Sequence, residues 1–234
     1  MKKVSLLLAA LVTGATLSAQ NPAPAPAAPS YSVTVDFPYA SKYVFRGVQY
    51  AEDSFQPSVK LTSGSFYLGL WTNQPITSNI DNEIDVYGGY GFKLSDTWSL
   101  DVGATLYYYP ELDDSTGLDN TTFEGYVGVT GTFGSFTTGL YAFQDFTLKN
   151  FTLQATVGYS VPISDKAAFS LLGTIGNVSP DTGDDYTYYG IGATVPYKLS
   201  DTATLTVGLQ YATHDIAGLD DSHFWGTVGV TVVF

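Results

Sequence analysis

The sequence predicts an all-β protein, an antiparallel up-and-down transmembrane β-barrel of about 12 strands. Three observations carry that expectation. From Tyr31 to Phe234 large apolar side chains recur at every second position, the period of strands with one apolar and one polar face. Several of these runs reach about nine to eleven residues, the length that crosses a bilayer at a tilt. The connections between runs alternate between short Ser/Asp/Gly turns and longer acidic loops, as they would in an array of hairpins.

Composition narrows the function classes. Of 234 residues 44% are hydrophobic, which excludes a disordered chain. The absence of Cys excludes a disulfide framework and thiolate metal sites. Acids outnumber bases 22 to 9, for a net charge of -13, so the chain lacks the basic footprint that nucleic acid requires. The 18 Tyr, 14 Phe and 24 Gly suit strands rather than helices.

The first segment reads as an address. Lys2 and Lys3 precede an apolar stretch from Val4 to Leu17, and the small residues Ser18 and Ala19 precede Gln20. That is the pattern of a signal peptide over residues 1–19. The stretch is too short, and too broken by Ser5, Thr13 and Gly14, for a membrane anchor. Residues 20–30 alternate Pro and Ala and read as a semi-rigid periplasmic spacer. Residues 31–234 then form the barrel.

Strands are expected near 31–50, 55–63, 66–73, 83–94, 97–109, 123–133, 136–144, 150–161, 167–177, 186–197, 203–213 and 224–234. Pro38 marks a break or bulge in the first. The short turns hold Ser63-Gly64-Ser65, Ser95-Asp96, Gly134-Ser135, Ser164-Asp165 and Ser200-Asp201. Lys93-Leu94-Ser95-Asp96-Thr97 recurs as Lys198-Leu199-Ser200-Asp201-Thr202, and Ile163-Ser164-Asp165-Lys166 is a looser third copy. Against the single base Lys149, the long connections carry 14 acids, Glu52, Asp53, Asp81, Glu111, Asp113, Asp114, Asp119, Asp145, Asp181, Asp184, Asp185, Asp215, Asp220 and Asp221. These acids either keep a barrel mouth hydrated or offer hard oxygen ligands to a divalent cation. EF-hand spacing is missing, and no metal site is assigned.

The remaining charges, Asp36, Lys42, Arg46, Lys60, Glu83, Asp85, Asp101 and Glu124, all fall on the polar parity of their strands. A charge facing lipid costs about 2–4 kcal/mol at the midplane, so this sorting is expected of a lumen wall. An even strand number closes the sheet and leaves no unpaired edge in hydrocarbon. Lys42 and Arg46 are therefore expected to pair with Glu83, Asp85, Asp101 and Glu124 in a lumenal cluster. Such a cluster either braces the wall or forms a charge-selective constriction. Tyr67, Trp71, Tyr107 and Tyr126, with Trp225, are the expected lumen-facing aromatics. Tyr107-Tyr108-Tyr109, Tyr188-Tyr189, Phe37 with Tyr39, Trp98, and Phe133 with Phe136 lie near strand ends, where aromatic girdles form. His214 and His223 bound one predicted loop and read as solvated. No nucleophile–base constellation surrounds them, so neither an enzyme nor a cofactor is expected.

The C-terminal strand ends with Gly229, Val232 and Phe234, which resembles the signal that outer-membrane barrels present to their assembly machinery. The run Ser41-Lys42-Tyr43-Val44-Phe45-Arg46-Gly47 resembles the opening motif of the TorF-type (Gcw-type) porin family of bacterial outer-membrane proteins. Further pieces follow in order: Gly64 with Tyr67, Gly69 and Trp71; Glu83, Asp85, Tyr87 and Gly89-Tyr90; Asp101 with Gly103; Tyr107 to Pro110; Glu124 with Tyr126. The match covers roughly residues 31–145. Lys42 stands where the family usually has an acid, and Gln49-Tyr50-Ala51 replaces a more Ser-rich stretch. The resemblance implies an outer-membrane β-barrel, with porin activity presumed for the family. The expected function is a channel for passive diffusion of small hydrophilic solutes, cation-preferring because its mouth is acidic. The alternative is a plugged structural or ligand- or cation-binding outer-membrane barrel without a conductive pore. The expected partners are outer-membrane lipid and lipopolysaccharide, the barrel assembly machinery and the solutes themselves, with no nucleic acid.

Overall fold

Alternating side chains leave the backbone free to pair on both edges, and here every wall strand does so. The computed structural model describes residues 31–77, 82–112 and 119–234. Its strands are β1 (Ser32–Ala40), β2 (Tyr43–Phe45), β3 (Val48–Ala51), β4 (Ser54–Phe55) and β5 (Ser58–Ser63). There follow β6 (Phe66–Pro75), β7 (Glu83–Lys93), β8 (Trp98–Tyr108), β9 (Thr121–Phe133) and β10 (Phe136–Asp145). The rest are β11 (Phe151–Pro162), β12 (Ala168–Ser179), β13 (Tyr186–Lys198), β14 (Ala203–His214) and β15 (Ser222–Val233). β4 and β5 are halves of one wall strand parted by Gln56 and Pro57, so the wall is a closed 12-stranded antiparallel barrel. Closure runs through β1 and β15, from Thr34 opposite Val233 to Ala40 opposite Thr227.

The first expected strand, 31–50, is not continuous. β1 stops at Ala40, and β2 and β3 form a separate two-stranded hairpin. Lys42 and Arg46 therefore belong to this hairpin and not to the wall, against the parity argument. Pro38 lies within β1, opposite Gly229 of β15. A Cβ on Gly229 would stand 2.7 Å from the Cα of Pro38, so this close approach needs glycine. The pairing of β1 passes from β5 to β4 between Asp36 and Tyr39, beside that proline.

Wall faces sort as period two demands. Phe123, Val127, Leu140, Val157, Ile191 and Leu209 are exposed on the outside, whereas Thr122, Glu124, Tyr126, Thr152 and Gln154 are buried inside. Outward aromatics gather at the strand ends. Trp98 meets Phe133 edge-on at 5.4 Å and Phe136 meets Tyr159 at 4.8 Å at the short-turn end. Phe123 stacks on Phe146 at 5.9 Å at the long-loop end. Two members of the expected girdle differ, because Tyr107 and Tyr188 point inward while Tyr108 and Tyr189 face out.

The repeated turn sequences fold alike. Ser95, Ser164 and Ser200 each accept two backbone N–H groups through Oγ, from Thr97 and Trp98, Lys166 and Ala167, and Thr202 and Ala203. Lys93 pairs with Asp96 at 2.7 Å and Lys198 with Asp201 at 2.9 Å. The lysine's hydrogen bond, then its charge, holds each carboxyl below the usual carboxylate range. The expected signal peptide and spacer, and the loop acids Asp81, Asp113 and Asp114, lie outside the described residues.

Leu209 and Gln210 sit side by side on β14, one facing out and one in. Leu209→Arg is expected to destabilise the barrel in lipid vesicles by about 2–4 kcal/mol. Gln210→Arg should cost less than half of that. Equal losses in urea unfolding would mean that the outer face does not meet lipid.

Candidate functional site

The site begins with a local strain. β2 and β3 are joined by Arg46 and Gly47, and both have positive φ, 46° and 83°. Two such residues make the mirror-image turn that suits a tight hairpin, but the left-handed region is unfavourable for arginine. Such strain persists where surrounding contacts over-determine it. Here they are extensive, because the hairpin turns into the lumen and carries Arg46 between the walls.

Arg46 is 4% exposed and Glu124 2%. The guanidinium donates from its two terminal nitrogens to the two carboxylate oxygens of Glu124 on β9, at 2.9 and 3.0 Å. This is the bidentate geometry that makes arginine–carboxylate pairs strong. Tyr107 on β8 donates to the same carboxylate at 2.8 Å. On the other side Arg46 hydrogen-bonds Tyr188 on β13, whose hydroxyl donates to Gln154 on β11 at 2.6 Å. The rings of Phe45 and of Phe143 on β10 each lie 4.9 Å from the guanidinium carbon. Burial pulls the guanidinium down, but the charge and hydrogen bond of Glu124 together with Tyr107 and Tyr188 outweigh it, and the net direction is up. One side chain thus ties the hairpin directly to β9, β10 and β13, and through its partners to β8 and β11.

Packing reinforces the tie. Tyr43, Phe45 and Ala51 of the hairpin form a buried cluster with Trp71 of β6. At the tip, a Cβ on Gly47 would lie 2.8 Å from the Cβ of Tyr188 and 2.9 Å from the carbonyl oxygen of Thr213. Only glycine lets the tip approach β13 and β14 so closely. At the base, Ser41 exchanges hydrogen bonds with Gly226 of β15.

Of the expected cluster, the structure brings Arg46 and Glu124 together as an ion pair. Lys42 turns elsewhere, donating to Gln49 at 2.8 Å and lying 3.7 Å from Glu52. Glu83 sits 3.5 Å from the hydroxyl of Tyr43, beside Asp85 on the inner face of β7. Asp101 lies deeper and accepts a hydrogen bond from Tyr67 at 2.8 Å. Tyr67 in turn bonds Tyr126. Asp36 accepts from Ser58 at 3.1 Å and Thr231 at 2.5 Å. Tyr67, Trp71, Tyr107 and Tyr126 all point inward, as does Trp225. Gly229 and Val232 pair with β1 and β14, and Phe234 exchanges backbone hydrogen bonds with Val33.

Two expectations are overturned. His214 and His223 are not solvated loop residues: each is 4% exposed, on the inner face at adjoining strand ends, with ring centroids 6.2 Å apart. Parity could have found them, since His214 continues the inward positions Gln210 and Ala212, and His223 those of Trp225 and Thr227. Asp145 is not a hydrated loop acid either. It is the last residue of β10, fully buried, accepting from the backbone N–H groups of Thr147 and Leu148 at 2.9 and 2.6 Å. Among the remaining described loop acids, Asp181 pairs with Lys149 at 3.5 Å. Among the described residues no group of three or more His, Asp and Glu could hold a metal ion.

Removing one partner of a buried ion pair strands the other, at about 3–5 kcal/mol. Arg46→Met and Glu124→Gln should each show such a loss in urea unfolding, and the double variant far less than their sum. A coupling near zero would remove the ion pair from its central place.

Comparisons place this architecture among known barrels. The NanC porin aligns with a TM-score of 0.56 at 15% identity, over 86% of this chain and 98% of its own. The KdgM porin in complex with disordered oligogalacturonate gives 0.58 at 12%, over 87% and 99%. An outer membrane channel from Pseudomonas putida F1 gives 0.53 at 11%, over 92% and 100%. At such identities the likeness is one of fold. A search of curated proteins finds no match. The family model described as "Bacterial protein of unknown function (Gcw_chp)" matches residues 24–227, and with most of its length so matched the chain belongs to that family.

Proposed function

We propose that this protein is a channel of the bacterial outer membrane that passes small hydrophilic solutes by diffusion, prefers cations, and has its outer mouth narrowed by the β2–β3 hairpin. One observation carries the reading: a closed strand wall that is apolar outside and polar inside. Inward groups toward the short-turn end, including Asp36, Lys60, Asp101, Thr174, Thr194, Gln210 and Thr227, are all partly accessible to solvent. A sealed core would bury them. Twelve strands at ordinary spacing and tilt give a backbone diameter of roughly 25 Å, which side chains narrow.

Charge supports the preference for cations. Arg46 and Glu124 cancel, and on the wall Asp36, Glu83, Asp85 and Asp101 then face Lys60 alone among the described inward groups. The exposed loop acids Asp181, Asp184, Asp185, Asp215, Asp220 and Asp221 lie at the long-loop end. Together they would concentrate cations at the entrance. The KdgM complex contains oligogalacturonate, a polyanion, and the acidic lumen here disfavours that class of solute. Export through the signal peptide 1–19, a periplasmic spacer 20–30 and recognition of Gly229, Val232 and Phe234 by the assembly machinery belong to the same proposal. So do the lipid and lipopolysaccharide around the wall.

A second reading has its own support. Toward the long-loop end Tyr126, Tyr141 and Phe143 form a buried cluster beside Arg46, which fills part of the lumen. A permanent plug would make the barrel structural or ligand-binding.

Current across planar bilayers separates the two readings. The channel reading expects measurable conductance, a reversal potential of cationic sign in a salt gradient, and a several-fold increase with Arg46→Ala. Folded, heat-modifiable protein from the outer-membrane fraction that stays silent, with Arg46→Ala equally silent, would establish the plug instead. An anionic reversal potential would overturn the charge argument.

A further inference from the structure

We propose that the β2–β3 hairpin is an acid-released plug, with His214 and His223 as its sensor. The proposal rests on the channel reading for its consequence, but on separate geometry for its mechanism.

Among the described residues, neither imidazole has a hydrogen-bond partner at Nε2, and both atoms are buried. Nδ1 of His214 accepts the backbone N–H of Ile216 at 3.1 Å, a bond that a proton on Nδ1 would break. The hairpin lies directly against His214. Its tip glycine, Gly47, abuts the Cβ of His214, and Lys42 at its base acts electrostatically on His223.

The charged and titratable neighbours come from every packed element. From β13, Tyr186 meets His214 edge-on at 6.4 Å, and Tyr188 pairs with it in register. From the hairpin come Arg46, which reaches Tyr186 and Tyr188, and Lys42. Asp220 in the β14–β15 loop faces His223, and Asp215 follows His214. The two histidines face each other. Asp215 and Asp220 are exposed, and Asp220 acts on His223 more strongly than Lys42 does. The cation that acts on His223, Lys42, is at the base of the hairpin.

Protonation would place charge on imidazoles whose Nε2 atoms are buried and have no partner while the hairpin is docked. Undocking the hairpin lets water reach both imidazoles. Hydration of a charged imidazole in the undocked state offsets that cost, so acid favours undocking.

The test follows conductance from about pH 7.5 to about pH 5.5, the span that brackets ordinary imidazole titration. Wild-type conductance should rise several-fold, and His214→Gln/His223→Gln should remove the rise. The chain has no native Cys. A nitroxide on Val48→Cys therefore reports hairpin motion directly in detergent micelles, and it should loosen on acidification in the wild-type background alone. A label whose motion ignores pH, or an acid response that survives in the double variant, overturns the proposal. Should the label loosen while no current flows at either pH, the plug stands and the channel reading falls. Steady current with an unmoved label leaves the channel standing and overturns the acid-released plug.

Discussion

The structure turns on a buried charge that cannot be left alone. Arg46 lies near the middle of a barrel mouth, at the tip of a strained hairpin, where an unpaired guanidinium would be prohibitively costly. Its position holds because Glu124, Tyr107, Tyr188 and two aromatic faces meet it from different strands. The wall fixes the arginine, and the arginine fixes the hairpin. Without this pair the segment from 41 to 53 would be one more surface loop.

The same constraint explains the wall. A strand in lipid must satisfy its backbone through its neighbours, and closure between β1 and β15 removes the only free edges. Once closed, the barrel leaves each side chain two choices, hydrocarbon or lumen. The charged side chains of the wall strands between the turns take the second. Tyrosine suits that interior because its ring fills space while its hydroxyl bonds a carboxylate or another tyrosine, as Tyr67 and Tyr107 do.

Much of this is legible because period two is a local property. The wall strands, the inward aromatics and the repeated Ser-Asp turns all follow from neighbours in sequence. The hairpin is not, since alternation runs on through 31–50 whether or not the chain folds back at Ser41. Arg46 and Glu124 are 78 positions apart, and neither advertises the other. Charge balance anticipates their pairing but not the left-handed turn at Arg46-Gly47 that delivers it. His214 and His223 escape a sequence reading because the acids around them suggest open solvent. Their parity points inward, and strands β14 and β15 extend one or two residues farther than the pattern alone suggests.

The seam between the first and last wall strands has a kinetic meaning. Each hairpin joins near neighbours, but Asp36 and Thr231 meet across 195 positions. Ordering so long a stretch before any reward arrives makes ring closure the entropically hardest event in building the molecule. Pro38 opposite Gly229 leaves that joint with one donor fewer and no side chain on the glycine. The meeting point of the two extremities is thus the natural weak stave of the cask.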